Sequence, residues 1–277
     1  MNQFKVGDVK ITRIIESESP WPGTFIMPDA TAENVKKEAD WLYPIFSDEK
    51  GKLRMSIHAL VIESQGKRII VDTCIGNDKV RSNPVWSNLK LPFLSDLEKA
   101  GHRADQIDRV VCTHLHVDHV GWNTTLKNGK WVPTFANARY LIGGTEWDFF
   151  STFDGKDMRD PVEDSVRPIV DIGMADLVES NFRVTDEVWL EPSPGHTPGH
   201  ISLLVRLPHH ALILAGDAAY DIEAIRRRRL PGFLWDADSV ISSWQTLEEL
   251  ERSEGAEIVL THEVRPGAKI GPTDFYD

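Results

Sequence analysis

Three histidines and an aspartate crowd into six positions of this chain, as His114, His116, Asp118 and His119. Neutral imidazoles packed side by side make poor core and poor surface, but they are good nitrogen ligands for a borderline-soft divalent ion. The apolar run Arg109-Val110-Val111-Cys112 comes directly before them. It reads as a buried strand, which makes the histidine-rich stretch the loop leaving the strand's C-terminal end. Open α/β folds build their sites in such loops. Metal binding is the chemistry this pattern predicts.

Three further strand exits carry the same kind of residue. His196 lies in Pro194-Gly195-His196-Thr197-Pro198-Gly199-His200, Asp217 follows the apolar run 211–215, and His262 follows 258–261. Five imidazoles and two carboxylates are too many for one tetrahedral zinc and suit two ions sharing ligands and a bridging hydroxide. Asp72 closes another apolar run. A carboxylate there is either a turn former or a group that orients a ligand imidazole from behind.

These exits require strands to position them. Residues 9–15 alternate like a half-exposed strand, and 57–62 and 68–72 read as strands joined by the hairpin turn 64–67. Further strands are expected at 139–142, 188–190, 201–205, 211–215 and 258–261. Amphipathic helices are expected at 94–101 and 238–254, the latter with Val240, Ile241, Trp244, Leu247 and Leu250 on one face. The two halves look alike, each with hairpin strands, a crossover helix and metal-type residues at strand ends. That pattern predicts two packed sheets with outer helices, in a single domain spanning 1–277. Residues 18–55, with a weak N-cap at Thr31, read as an excursion from the sheet. It is either a packed surface loop or a substrate-facing rim or dimer arm, which leaves a homodimer open. Residues 146–186 read as an insert of helices and loops near the site.

Composition narrows the function. With 31 Lys and Arg against 43 Asp and Glu, the formal charge is -12. That sign disfavours nucleic acid and an anionic membrane surface as partners. Only Cys74 and Cys112 occur, so no disulfide framework is implied. No apolar run is long enough to span a bilayer, and the first residues lack a signal-like apolar stretch, so a cytoplasmic location follows by default.

With His-x-His-x-Asp-His, Gly195-His196, Gly216-Asp217 and Thr261-His262 in this order, the chain resembles the metallo-β-lactamase superfamily of hydrolases. The resemblance implies a four-layer αβ/βα sandwich. It also implies that His114, His116 and His196 hold one divalent ion, that Asp118, His119 and His262 hold a second, and that Asp217 bridges both. The donor set suits zinc, and also iron, manganese or cobalt. Zinc β-lactamases generally lack the bridging carboxylate, and flavodiiron proteins carry a glutamate where His116 stands. Glyoxalase II adds a helical C-terminal region for its thioester, while only about 15 residues follow His262 here. Ribonuclease Z-like enzymes need a basic arm.

Tyr220, three residues beyond Asp217, resembles the tyrosine of N-acyl-homoserine lactonases and pyridoxolactonase, an electrophilic helper at the substrate carbonyl. The activity expected is opening of a lactone or cleavage of a carboxylic ester by a metal-bridging hydroxide, with Asp118 and Tyr220 as catalytic groups. In that scheme Asp118 passes the proton on and Tyr220 donates to the oxyanion. Alternatives are phosphotriester hydrolysis, a glyoxalase II-like thioesterase, a β-lactamase and a non-catalytic metal-binding module. Arg226-Arg227-Arg228-Arg229 reads either as a solvated segment pairing with surplus acids or, lying soon after Asp217 and Tyr220, as a grip on an anionic substrate group. His200 is either a strand residue or a support for a ligand. His58, His102, His209 and His210 read as structural or surface residues. Of the tryptophans, Trp122 is the one expected near the site, and Trp21, Trp86, Trp147 and Trp235 could line an apolar acyl pocket.

Overall fold

A computed structural model describes residues 3–208 and 210–264, with Glu223 as backbone alone; His209 therefore lies outside the described residues. Among them, strands β1 (Gln3–Val6), β2 (Val9–Trp21), β3 (Leu53–Ser64), β4 (Lys67–Val71) and β5 (Arg109–Cys112) enter one sheet. A hairpin, β6 (Thr124–Lys127) and β7 (Lys130–Pro133), stands apart. β8 (Arg139–Gly143) and β9 (Ala175–Val178) complete the sheet in the order β1-β2-β3-β4-β5-β8-β9. The pairs from β1 to β4 are antiparallel, and those from β4 to β9 are parallel. β10 (Val188–Pro192), β11 (Ile201–Leu207), β12 (His210–Leu214) and β13 (Ala256–Val259) form a second sheet, closed by a parallel β12–β13 pair.

The strands read as near-continuous apolar runs because both faces are covered. On β4, Ile69 and Val71 face the second sheet, while Ile70 faces the helices. On β5, Val111 faces the second sheet, with Val110 and Cys112 on the helix side. β11 repeats the alternation, with Leu203 and Val205 inward and Leu204 outward. This period of two sorts the apolar side chains into three cores.

One core lies between the sheets. A second lies under the helices that carry Phe93, Leu97, Phe150, Val162 and Ile169. The third lies under the long C-terminal helix, which contributes Val240, Trp244 and Leu247. The result is helix, sheet, sheet, helix: the four-layer sandwich. Each fully buried Leu, Ile or Val in these cores contributes roughly 1.5–3 kcal/mol.

The helices are α1 (Ala32–Lys37), α2 (Ala39–Leu42), α3 (Phe93–Lys99), α4 (Gly144–Phe150), α5 (Lys156–Pro161), α6 (Arg167–Asp171), α7 (Ile222–Arg227) and α8 (Ala237–Glu254), with a π-helical turn at Val162–Val166. Thr31 caps α1 by accepting from the Asn34 N–H, and Asp236 caps α8 by accepting from the Ser239 N–H. No helix among the described residues is long and apolar enough to cross a membrane.

Two boundaries differ from the expectation. β2 runs on through Trp21 and pairs with β3, so the excursion starts after Trp21 and ends at Leu53. Pro20 is tolerated because β1 covers β2 only as far as Thr12, leaving an open edge beyond. The insert at 146–186 also holds β9, which adds parallel to β8 and extends the sheet.

Candidate metal centre

β4, β5, β12 and β13 end at one rim of the sandwich, and the loops leaving them meet there. Asp72, at the end of β4, accepts from the Thr113 N–H at 2.8 Å, which fixes where the loop beyond β5 begins. The loop then turns back on itself: the His119 N–H reaches the His116 carbonyl at 3.1 Å, and the Thr73 N–H reaches the His119 carbonyl at 2.7 Å. This tight turn puts four donor side chains of one short segment on one side.

Four of the five imidazoles have a fixed support behind them. His119 Nδ1 lies 2.7 Å from the Asp72 carboxylate and His114 Nδ1 lies 3.0 Å from the Thr113 hydroxyl. His196 Nδ1 lies 3.1 Å from the Phe233 carbonyl and His262 Nδ1 lies 3.0 Å from the Ser56 carbonyl. The Nε2 atoms of these four rings are thereby turned inward, as ligand imidazoles are when a second partner sets their tautomer.

The inward atoms converge. His196 Nε2 and His116 Nδ1 are 2.9 Å apart, and Asp217 Oδ1 lies 3.4 Å from both His119 Nε2 and His262 Nε2. Asp217 Oδ2 is 3.5 Å from His196 Nε2, and Asp118 lies 3.7 Å from His119 and 3.6 Å from His262. Three overlapping trios have ligand atoms within 4.8 Å of one another: His114/His116/His196, His114/His119/Asp217 and Asp118/His119/His262. His114 Nε2, His119 Nε2 and Asp217 Oδ1 are buried and have no hydrogen-bond partner among the described residues. Buried polar atoms left bare are costly. Their convergence on one point is what a divalent cation would satisfy, so the donor set fits one.

The electrostatics agree. Burial, reinforced by neighbouring imidazoles, holds His114 and His116 well below the usual histidine range, and burial lowers His196 too. These rings are neutral, the form that ligates. Burial opposes charge on His119 as well, but Asp217, Asp72 and Asp118 outweigh it and push this ring up to about 10. Despite its burial, Asp217 is held well below the carboxylate range by His119 and His262. The place where Asp118 and Asp217 meet thus attracts positive charge.

A cavity of about 290 Å³ opens onto His116, Asp118, Asp217 and Tyr220. Its apolar wall is a chain of rings. Trp86 and Trp21 have centroids 5.5 Å apart, Trp21 and Phe25 5.3 Å, and Phe25 and Phe233 4.9 Å. The Tyr220 hydroxyl donates to Asp217 Oδ2 at 2.7 Å. Burial and then the Asp217 charge push this phenol well above its ordinary value, so it stays a proton donor.

A model of the metallo-beta-lactamase superfamily matches residues 54–262. The chain belongs to that superfamily. Among curated proteins it is 33% identical over 178 residues to an N-acyl homoserine lactonase, AttM, of Azorhizobium caulinodans; the match spans 61% of this chain and 63% of that one, less than two thirds of its length. An N-acyl homoserine lactonase of Bacillus cereus is 23% identical, over 79% of this chain and 87% of the relative. Among solved structures, a probable metal-dependent hydrolase from Staphylococcus aureus superposes with TM-score 0.76 at 18% identity, covering 93% of this chain and 90% of the other. AidC, a dizinc quorum-quenching lactonase solved with a product, has TM-score 0.75 at 18% identity, covering 99% and 98%.

For a chain of this superfamily, the structure brings all seven expected donors and Tyr220 to one place. His200 stands behind them: its Nδ1 lies 2.8 Å from the Ser193 hydroxyl, and its Nε2 accepts the Asp217 N–H at 3.0 Å. The turn is so close that a Cβ at Gly216 would stand 2.8 Å from that nitrogen. Trp122 does not reach the cavity. It stacks on Phe93 and donates its indole N–H to Glu16 at 2.7 Å, behind the donor loop. Trp21 and Trp86 do line the cavity, whereas Trp147 packs against the core under α4 and Trp235 is exposed. The arginine run sits against α8, with Arg228 on Glu248 and Arg226 near Glu251. Sequence reasoning missed Glu16 and Glu146. The signal for Glu146 was its place just past β8, another strand exit carrying a carboxylate.

Proposed function

We propose that this chain is a dinuclear metal-dependent hydrolase that opens lactone rings. The observation that carries the reading is the Tyr220 hydroxyl, held on the shared carboxylate Asp217 where two donor trios face an apolar cavity. His114, His116 and His196 would hold one ion, Asp118, His119 and His262 the other, and Asp217 would serve both. Divalent ions there, zinc being well suited to the nitrogen and carboxylate donors, supply Lewis acidity and acidify water to a nucleophile at neutral pH.

The chain's own groups do the rest. Ring opening adds water to the ester carbonyl carbon, breaks the ring C–O bond and returns one proton to the departing alkoxide, giving a hydroxy acid. Tyr220, kept protonated, turns its one O–H from Asp217 to the carbonyl oxygen as negative charge develops there. Asp118 is half-buried at the cavity edge and takes the proton from the attacking water, then passes it to the alkoxide. The ring wall of Trp86, Trp21, Phe25 and Phe233 accepts an apolar acyl substituent and keeps bulk water from it.

The test is elemental analysis of the purified protein together with turnover of acyl-homoserine lactones, aryl esters, a thioester and a phosphotriester. Two ions per chain with the highest kcat/KM on a lactone is the expected result. A substrate of another class turned over tenfold faster than every lactone would overturn the substrate assignment, and fewer than two ions would overturn the dinuclear one.

A further inference from the structure

Glu146 sits in the first turn of α4 with 1% of its surface exposed, and it belongs to none of the three donor trios. Its Oε1 accepts the Leu115 N–H at 3.1 Å and its Oε2 accepts the Gly199 N–H at 2.9 Å. Leu115 lies between His114 and His116, and Gly199 lies three residues beyond His196. One carboxylate therefore ties together the two loops that carry the His114/His116/His196 trio. The contact is close: a Cβ at Gly199 would stand 2.3 Å from the Glu146 nitrogen, so only glycine lets that loop lie on the start of α4.

The residue type is dictated by this task. Two backbone N–H groups arriving from separate loops need an acceptor at both oxygens, which a carboxylate offers. A glutamine of the same shape would set its NH₂ against one of the two donors. No cationic side chain pairs with Glu146 among the described residues; burial pushes the carboxyl up to about 7, against the opposing pull of the Thr197 side chain and the two backbone N–H groups. The Asp118/His119/His262 trio has different supports, Asp72 behind His119 and the Ser56 carbonyl behind His262.

We infer that Glu146 is a positioning residue for one metal site of the two: it sets the spacing between His196 and the His114/His116 pair and leaves the other trio untouched. The inference rests on the reading of these trios as metal sites. Loss of a group that orients ligands from behind typically costs 10–100-fold in metal affinity. A residue that merely stabilised the fold would loosen both sites together.

The experiment is release of metal from the Co²⁺- or Zn²⁺-loaded protein to a chromophoric chelator, for wild type and Glu146→Gln, with folding checked by circular dichroism. One equivalent should leave roughly 10–100-fold faster in the variant, the other at the wild-type rate, and the fast one should be the equivalent that His196→Ala lacks. Glu146→Ala, which frees both N–H groups, should enlarge the same asymmetry; if it does not fold, the Gln variant still decides. Unchanged release of both equivalents, equal acceleration of both, or acceleration of the equivalent that His196→Ala retains would each overturn the inference while leaving the dinuclear reading standing. A wild-type protein holding fewer than two equivalents would overturn both.

Discussion

At the end of β5 four donors arrive within six residues of chain, whereas the second sheet delivers His196, Asp217 and His262 one at a time from three separate exits. The first group is set by local geometry: the reverse turn from His116 to His119 and the anchor at Asp72. The second depends on strand register. β12 and β13 run parallel with Leu214 opposite Val259, which brings Asp217 and His262 to the same level three residues later on each strand. A cluster of neighbouring residues survives small shifts between layers, while donors spread over several strands are correct only if the sheet, α8 and the loop at 193–200 all pack as they do. The two sheets thus share the site unequally: one gives it density, the other gives it shape.

Removing the residue that joins the two groups should have the largest effect. Asp217 faces His119, His262 and His196 within 3.5 Å, so in the proposed dinuclear centre Asp217→Ala would take a ligand from both ions at once. Metal content should fall below two per chain and kcat/KM by about a thousandfold, several kcal/mol of charge stabilisation at 1.36 kcal/mol per decade. Elemental analysis and lactone kinetics measure both, and two ions retained would mean that the halves are held together some other way. Tyr220→Phe asks less of the frame. The ring keeps its place against His262, with centroids 6.1 Å apart, and only the hydroxyl is lost. Turnover should drop about a hundredfold, the usual cost of one oxyanion donor, with two ions still bound. An unchanged kcat would take Tyr220 out of the chemistry.

The same contrast explains what could be read in advance. His114 to His119 announce themselves by spacing, and His196, Asp217 and His262 by standing just past apolar runs. The four layers follow from the period of two in strands covered on both faces. What stayed hidden works through backbone geometry. Glu16 lies where the β2–β3 register slips between Ile15 and Ser17, and a bulge there re-aims a side chain. Glu16 is turned inward, where it accepts from Ile75 N–H, Gly76 N–H and the Trp122 indole. Nothing in the local residue pattern marks that slip, so neither the inward turn of Glu16 nor its hold on Trp122 behind the donor loop is legible in the sequence. β9 escaped for a different reason. It is a four-residue, half-exposed edge strand, Ala175–Val178, too short to show a period.

The last effect expected falls on stability and not on metal or turnover, and concerns a buried cation beside Arg81, which lines the cavity. Lys79 is fully buried; its Nζ donates to the Thr124 hydroxyl at 2.9 Å and to Asp164 at 3.3 Å, and stands 3.7 Å from the Trp131 ring centroid. Arg81 grips the same Asp164 at 2.6 and 2.9 Å, so two cations share one carboxylate. Burial, against the pull of Asp164, lowers the ammonium from an ordinary 10.5 to about 8. Between those values the unfolded chain binds more protons than the folded one, so stability rises with pH across that window; below pH 8 the full cost of keeping the ammonium buried is present. That cost is about 3 kcal/mol. Lys79→Met removes the titration and leaves Asp164 to Arg81. The difference in unfolding free energy between wild type and variant, measured with urea, should shift in favour of wild type as pH rises from 7.5 to 10.5, with metal content unchanged. A difference that stays flat over that range would mean that Lys79 keeps its proton as readily in the folded chain as in the unfolded one, and that burial costs its ammonium nothing.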